Sequence, residues 1–159
     1  MLKNQPFDLL NYTKSYFIGI ILLIISCKSS EDITFSEISK LPSDSAIALI
    51  ETSRNEVNWA YLCSQYLSNL GAKTENDSVL APMLNYLYKR SIKENSFLGF
   101  NAYYRFKSYN FITKGQLDSS LVYAYKALNT LGKHDSIDPQ HTYHIVGVAY
   151  FYTDQKSDS

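Results

Sequence analysis

Apolar residues recur three or four positions apart along most of this chain, which is the spacing of one face of an α-helix. The pattern predicts helices over residues 56–70, 97–114 and 139–153. Gly71 and Gly115 stand just past two of these stretches, where the left-handed backbone that ends many helices favours glycine. The spacing therefore predicts an all-α chain.

A second set of predicted helices alternates with the first, and each follows an Asp-Ser pair. The pairs are Asp44-Ser45, Asp77-Ser78, Asp118-Ser119 and, at the end, Asp158-Ser159. We expect the aspartates to be N-caps, since their oxygens accept hydrogen bonds from the unpaired N–H groups of a first turn. Pro82 fits only near a first turn, which predicts that its helix begins later than Asp77. Successive pairs are 33, 41 and 40 residues apart, and alternating helices at this period are typical of an α-solenoid.

The spacing resembles that of the tetratricopeptide-repeat family. In the first helix of each such repeat, a large apolar residue, a leucine, a small residue and an aromatic share one face. The matching positions here are Trp59, Leu62, Cys63 and Tyr66; then Tyr104, Lys107, Ser108 and Phe111; then Tyr143, Val146, Gly147 and Tyr150. The resemblance implies an α-α superhelix of TPR-like helical repeats over residues 43–159, whose small residues let paired helices approach closely.

An unbroken apolar run near the N-terminus has a different pattern. Its ten residues, 16–25, follow Lys3 and Lys14; they are too few to span a bilayer, which takes about 20, but fit the core of a signal peptide. The string Ile24-Ile25-Ser26-Cys27 resembles a bacterial lipobox. The resemblance implies a lipoprotein signal peptide over 1–26, lipidation of Cys27 and a flexible tether over 27–42. The alternatives are an uncleaved anchor and a buried helix with an incidental cysteine.

Composition and charge narrow the function. The 159 residues include 15 basic and 15 acidic ones, so the chain lacks the basic excess typical of nucleic-acid binding, and we expect no nucleic-acid partner. The sequence holds no Gly-rich phosphate loop, nucleophile elbow or HExxH motif. We therefore expect a protein that is not an enzyme and that needs no cofactor.

Cys63 and three histidines are the remaining candidates for chemistry. Cys63 takes a small-residue position at a helix contact, which favours a buried, inert thiol over a catalytic one. The histidines lie among aspartates: His134, His141, His144, Asp135 and Asp138. His141 and His144 share a helix face, but a second ligand pair of defined spacing is missing, so we expect no metal.

The resemblance also implies where a ligand would bind. In that fold the first helix of each repeat lines a concave groove with positions off its packing face. Those positions are Val57, Ala60, Ser64, Leu67, Arg105, Tyr109, Ile112, His141, His144, Val148 and Phe151. The most distinctive are Arg105, Tyr109, His141 and His144, a mixed aromatic and cationic set that suits an extended peptide or an acidic group. Alternatively, these residues are merely exposed or pack on a missing neighbour.

The resulting interpretation is a lipid-anchored scaffold of the cell envelope, on the periplasmic or outer-membrane side, that binds a protein or peptide. A lipobox with such repeats, in a chain rich in Tyr, Asn, Lys and Ile, resembles proteins of Bacteroidetes-type bacteria. Among those, similar repeats occur in longer signalling regulators and in outer-membrane nutrient receptors. A truncated sensory module and a fragment of a nutrient-receptor lipoprotein are therefore alternatives.

The last predicted helix is apolar almost all round over residues 143–152. A terminal helix of a solenoid needs a polar outer face, so we expect this helix to be covered. One hypothesis is an incomplete last repeat, because Asp158-Ser159 falls where the next second helix should begin. The other is self-association through this C-terminal helix.

Overall fold

The computed structural model describes residues 33–71 and 77–157, and all regular structure within these ranges is helical. The helices are α1 (Phe35–Ile38), α2 (Ser43–Glu51), α3 (Glu56–Gly71), α4 (Asp77–Glu94), α5 (Phe97–Thr113), α6 (Leu117–Leu128) and α7 (Pro139–Ser157). The all-α prediction is confirmed for this part of the chain. The predicted signal peptide, Cys27 and the final Asp158-Ser159 pair lie outside the described residues.

Contacts between helices run mainly to the next helix and the next but one. Helix α3 packs on α4 and α5, and α5 packs in turn on α6 and α7. Helices α3, α5 and α7, the predicted first helices of the repeats, begin at residues 56, 97 and 139. This order brings α3, α4, α5 and α7 to the walls of one cleft, described below.

The Asp-Ser pairs lie at helix starts, but the N-cap prediction is wrong for the two whose caps the structure describes. Helices α2 and α6 each begin one residue before the aspartate, so Pro42 and Gln116 are the N-caps. Asp44 and Asp118 lie inside the first turn. A carboxylate there is still favoured, because it faces the positive end of the helix dipole.

Helix α4 begins at Asp77 and includes Pro82, so the prediction of a later start is also wrong. The proline lies in the second turn, where it removes one backbone donor. The helix ends at Glu94. Asn95 follows it with a left-handed φ of 51°, which its short polar side chain tolerates. Ser96 then caps α5 by accepting a hydrogen bond from the Gly99 N–H (2.8 Å).

Gly115 ends α5 as the sequence predicts. Its φ of 66° is in the left-handed region. That turn lets the Gln116 N–H donate to the Phe111 carbonyl at 2.9 Å, which satisfies one of the last free carbonyls of the helix. The chain is thereby reversed into α6, the partner of α5.

The packing face predicted for α3 is confirmed. Trp59, Leu62, Cys63 and Tyr66 are each at most 1% exposed. They form one apolar cluster with buried side chains from the neighbouring helices, among them Ile38, Ile50, Met83, Leu84, Leu87 and Ala102. Burial of large apolar side chains is the main stabilising contribution here, at about 1.5–3 kcal/mol for each.

The folded part begins earlier than expected. Residues 33–42 were assigned to the flexible tether, but Ile38 of α1 is fully buried and α1 packs on α2 and α3. The turn is closed by Thr34, whose backbone N–H and hydroxyl both donate to the Glu37 carboxylate (2.5 and 2.8 Å). These two hydrogen bonds lower the pKa of Glu37. The tether prediction is therefore wrong for residues 33–42, and residues 27–32 lie outside the description.

The predicted packing face of α7 is wrong by one position. Thr142, Ile145 and Ala149 are buried, while Tyr143 and Tyr150 are 59% and 47% exposed. A polar network sets this register: the Asn101 side-chain amide donates to Thr142 Oγ1 and Thr130 Oγ1, both at 2.9 Å, and to the Ala127 carbonyl at 3.2 Å. An amide buried on α5 needs such partners, so Thr142 turns inward and the tyrosines turn outward.

Candidate functional site

A cleft of about 390 Å³ lies among helices α3, α4, α5 and α7. Its lining residues are Leu67, Ser68, Gly71, Leu80, Leu84, Arg105, Phe106, Tyr109, Asn110, Thr113, His141, His144 and Ile145. The structure thus places all four of the most distinctive groove residues, Arg105, Tyr109, His141 and His144, around one space. Its volume lies within the range of about 300–1,000 Å³ found for small-ligand pockets.

Two helices supply the distinctive side chains. Arg105 and Tyr109 lie four residues apart on α5, and His141 and His144 lie three apart in the first turns of α7. Asp138 precedes α7 and caps its first turn, because its Oδ1 accepts a hydrogen bond from the Gln140 N–H (2.8 Å). Together with the buried network between α5 and α7, this cap holds the two histidines beside the cleft.

Arg105 is the electrostatic centre of the cleft. Its Nε is buried and has no hydrogen-bond partner within residues 33–71 and 77–157. Burial lowers the pKa of the guanidinium, and the field of Asp138 opposes that shift only in part. A buried guanidinium N–H without a hydrogen bond destabilises the fold, and a bound anion would offset the partly desolvated charge.

The remaining lining divides into an apolar floor and a polar rim. Leu67, Leu80, Leu84, Phe106 and Ile145 make the floor, and neither α3 nor α4 contributes a charge to the described lining. Arg105 is the one described lining residue with a permanent charge. Asp138 lies nearby but is engaged at the start of α7, with its Oδ2 3.6 Å from the His141 Nε2. The cleft therefore presents one cation beside an apolar surface.

Other predicted groove positions do not line this cleft. They are Val57, Ala60, Ser64, Ile112, Val148 and Phe151. Ala60 is 1% exposed and belongs to the core, whereas Phe151 is 58% exposed and lies about two turns beyond His144, past the end of the cleft lining. Leu80 and Leu84 were missed because α4 was taken as a second helix, away from any groove. Their spacing of four on one face of α4 was the available signal.

Cys63 and His134, the other candidates for chemistry, lie outside the cleft lining. Cys63 is fully buried, and desolvation raises the pKa of its thiol to about 12, so the nucleophilic thiolate is disfavoured. His134 lies away from the cleft lining, with its Nε2 3.8 Å from a Glu56 carboxylate oxygen. In the described ranges, no group of three or more His, Cys, Asp or Glu side chains is arranged to hold a metal ion.

Exposed aromatic side chains form two pairs on α6 and α7. Tyr125 and Tyr150 meet edge to face with ring centroids 6.1 Å apart, and Phe151 and Tyr152 meet in the same way at 5.6 Å. These rings are between 43% and 58% exposed. Nothing within the described residues covers them.

None of the helices described is long and apolar enough to cross a bilayer.

The chain matches no protein-family model, no curated protein and no solved structure. The structure itself shows the all-α architecture of the described ranges and the cleft between their helices.

Proposed function

We propose that this chain is a membrane-tethered helical-repeat scaffold that binds a protein or peptide in the cleft among α3, α4, α5 and α7. The observation that most supports the proposal is the buried Arg105 Nε, which faces no acceptor in the described chain. A group that destabilises the fold yet lies in a cleft is better explained by a ligand than by folding. The aromatic and imidazole side chains beside it add surfaces on which a peptide would pack.

Peptide recognition is favoured by the composition of the lining. The floor is apolar and would bury a large side chain, while hydroxyls of Ser68 and Thr113 stand among the lining residues, where they would meet a peptide backbone. Helical-repeat proteins commonly present such concave surfaces to extended ligands. The proposed scaffold needs no catalytic group.

A peptide array tests the binding function. We expect the labelled full chain to bind a subset of array peptides and to lose this binding on Tyr109→Ala, which removes an aromatic surface half exposed in the cleft. Tyr61→Ala is the matched control, because Tyr61 is 56% exposed on α3 and does not line the cleft. Equal binding by both variants, or no peptide bound at all, would contradict the proposal.

The membrane tether rests on the lipobox-like string Ile24-Ile25-Ser26-Cys27. We propose that Cys27 is lipidated after removal of residues 1–26, with the protein held at the cell envelope by its acyl chains. Metabolic labelling with a radioactive fatty acid is expected to mark the wild-type chain and not Cys27→Ala. Equal labelling of both chains would refute the lipidation.

The exposed rings on α6 and α7 support a second proposal, self-association through the C-terminal helix. An aromatic surface of this kind is a common interface between protein chains. Light scattering of the full chain across a range of concentrations would show a dimer that Phe151→Glu abolishes; a monomer throughout would contradict it.

The sensory-module and nutrient-receptor alternatives share the same cleft and differ only in the remainder of the protein to which it would belong.

A further inference from the structure

We propose that the cleft selects an acidic residue flanked by apolar residues in the bound peptide, with the ligand carboxylate accepting from the guanidinium of Arg105. This inference rests on the proposed peptide-binding function and names the chemistry that the site would recognise. It follows from the pairing of one partly buried cation, whose Nε has no hydrogen-bond partner among the described residues, with an apolar floor in the same space.

The charge of the ligand is fixed by what surrounds Arg105. No described lining residue carries a negative charge, and the nearby Asp138 has its carboxylate at the start of α7, with Oδ1 bonded to the Gln140 N–H and Oδ2 facing His141. A second carboxylate arriving at the guanidinium of Arg105 would make a charge-assisted hydrogen bond in partly water-free surroundings. Such bonds are about twice as strong as neutral ones.

The apolar floor of the cleft explains why the peptide residues beside the acidic one should be apolar. Leu80 and Leu84 of α4 face the space from one side and Phe106 of α5 from another, so side chains beside the acidic residue would be buried there. A peptide is favoured over an isolated carboxylate because the polar rim includes Ser68, Asn110 and Thr113 as well as the two histidines.

The burial of Arg105 also distinguishes a binding role from a structural one. Arg105→Met keeps most of the apolar stem of the side chain. It removes a charge whose Nε is buried without a partner among the described residues, so this charge destabilises the fold. If the residue were structural, its removal would lower the thermal midpoint. Under the proposal, Arg105→Met leaves the midpoint equal or higher while the preference for an acidic ligand is lost.

The experiment is an NMR titration of the full chain with two probes, N-acetyl-Leu-Asp-Leu-amide and N-acetyl-Leu-Asn-Leu-amide, which follows the resonances of Tyr109 and His144. We expect the Asp peptide to bind the wild-type chain about tenfold more tightly than the Asn peptide, as for one charge-assisted hydrogen bond. In Arg105→Met the two affinities should become equal. Arg54→Met is the control: it makes the same charge change at an exposed arginine outside the cleft and should keep the preference.

Each contrary outcome has a distinct meaning. Equal binding of both probes by the wild-type chain overturns the acidic preference but leaves peptide binding intact, whereas binding of neither probe, with an empty peptide array, overturns both. A preference that survives in Arg105→Met assigns the anion to another residue. Decanoate that shifts the same resonances at lower concentration than the Asp peptide assigns the cleft to free carboxylates. Should Arg105→Met fail to fold, Arg105→Gln decides, because it also removes the charge and should lose the preference.

Discussion

Trp59→Ala is expected to lower the free energy of unfolding by about 3–5 kcal/mol, the range seen when a buried tryptophan is truncated to alanine. Trp59 is fully buried on α3, its Nε1 donates to the Glu94 carboxylate of α4 at 2.9 Å, and the Arg90 guanidinium lies 4.6 Å above its ring. Truncation would leave a cavity between three helices and remove both polar contacts. Urea unfolding of the two chains measures the difference.

The control for this variant is Tyr61→Ala on the same helix. Tyr61 is 56% exposed, so its truncation should change the free energy of unfolding by at most about 0.5 kcal/mol. Should the Trp59 variant match the Tyr61 variant, α3 cannot have the packing face described here.

Two glycines in helices are expected to respond in opposite directions to the same change. Gly99 of α5 lies against α3 and α4: a Cβ at this position would be 2.6 Å from Cη2 of Trp59 and closer still to the Ser91 hydroxyl. Ser91 is itself buried and held by its hydrogen bond to the Leu87 carbonyl. We expect Gly99→Ala to destabilise the protein by about 2–3 kcal/mol through overpacking.

At Gly147 of α7, no atom of the described residues lies within 4 Å of the position that a Cβ would take. Gly147→Ala should therefore stabilise the protein by about 1 kcal/mol, because alanine is the better helix former. Thermal and urea unfolding of the pair tests the packing around α5. If Gly99→Ala leaves the stability unchanged or raises it, the close approach of α5 to Trp59 is wrong.

The sequence predicted the helices well where large apolar residues repeat, and less well where polar residues pack. The register of α3 follows from its side chains alone, because Trp59, Leu62 and Tyr66 have few alternatives to burial. In α7 the aromatic residues outnumber the buried positions, and the buried face is chosen by Asn101, which lies 41 residues before Thr142. A pairing at that distance has no local signal, which is why α7 was placed one position off.

The residues that line the candidate cleft could likewise be predicted only in part. Its residues on α5 and α7 follow from helical spacing and from the resemblance to a repeat family. The contribution of α4 depends on how the helices cross, which spacing does not specify. That no described residue offers an acceptor to Arg105 Nε is likewise a property of the assembled helices and not of any single segment.

The contrast between the two halves of the core has a consequence for motion. The core around α3 and α4 is built from large side chains, whereas the buried positions of α6 and α7 are mainly small or polar, among them Ser120, Ala124, Ala127, Thr142 and Ala149. Less apolar surface holds α7 in place, so local opening of this helix requires less free energy than global unfolding. Because α7 supplies one wall of the cleft, we expect the cleft to open and close with this helix while α3 and α4 stay folded.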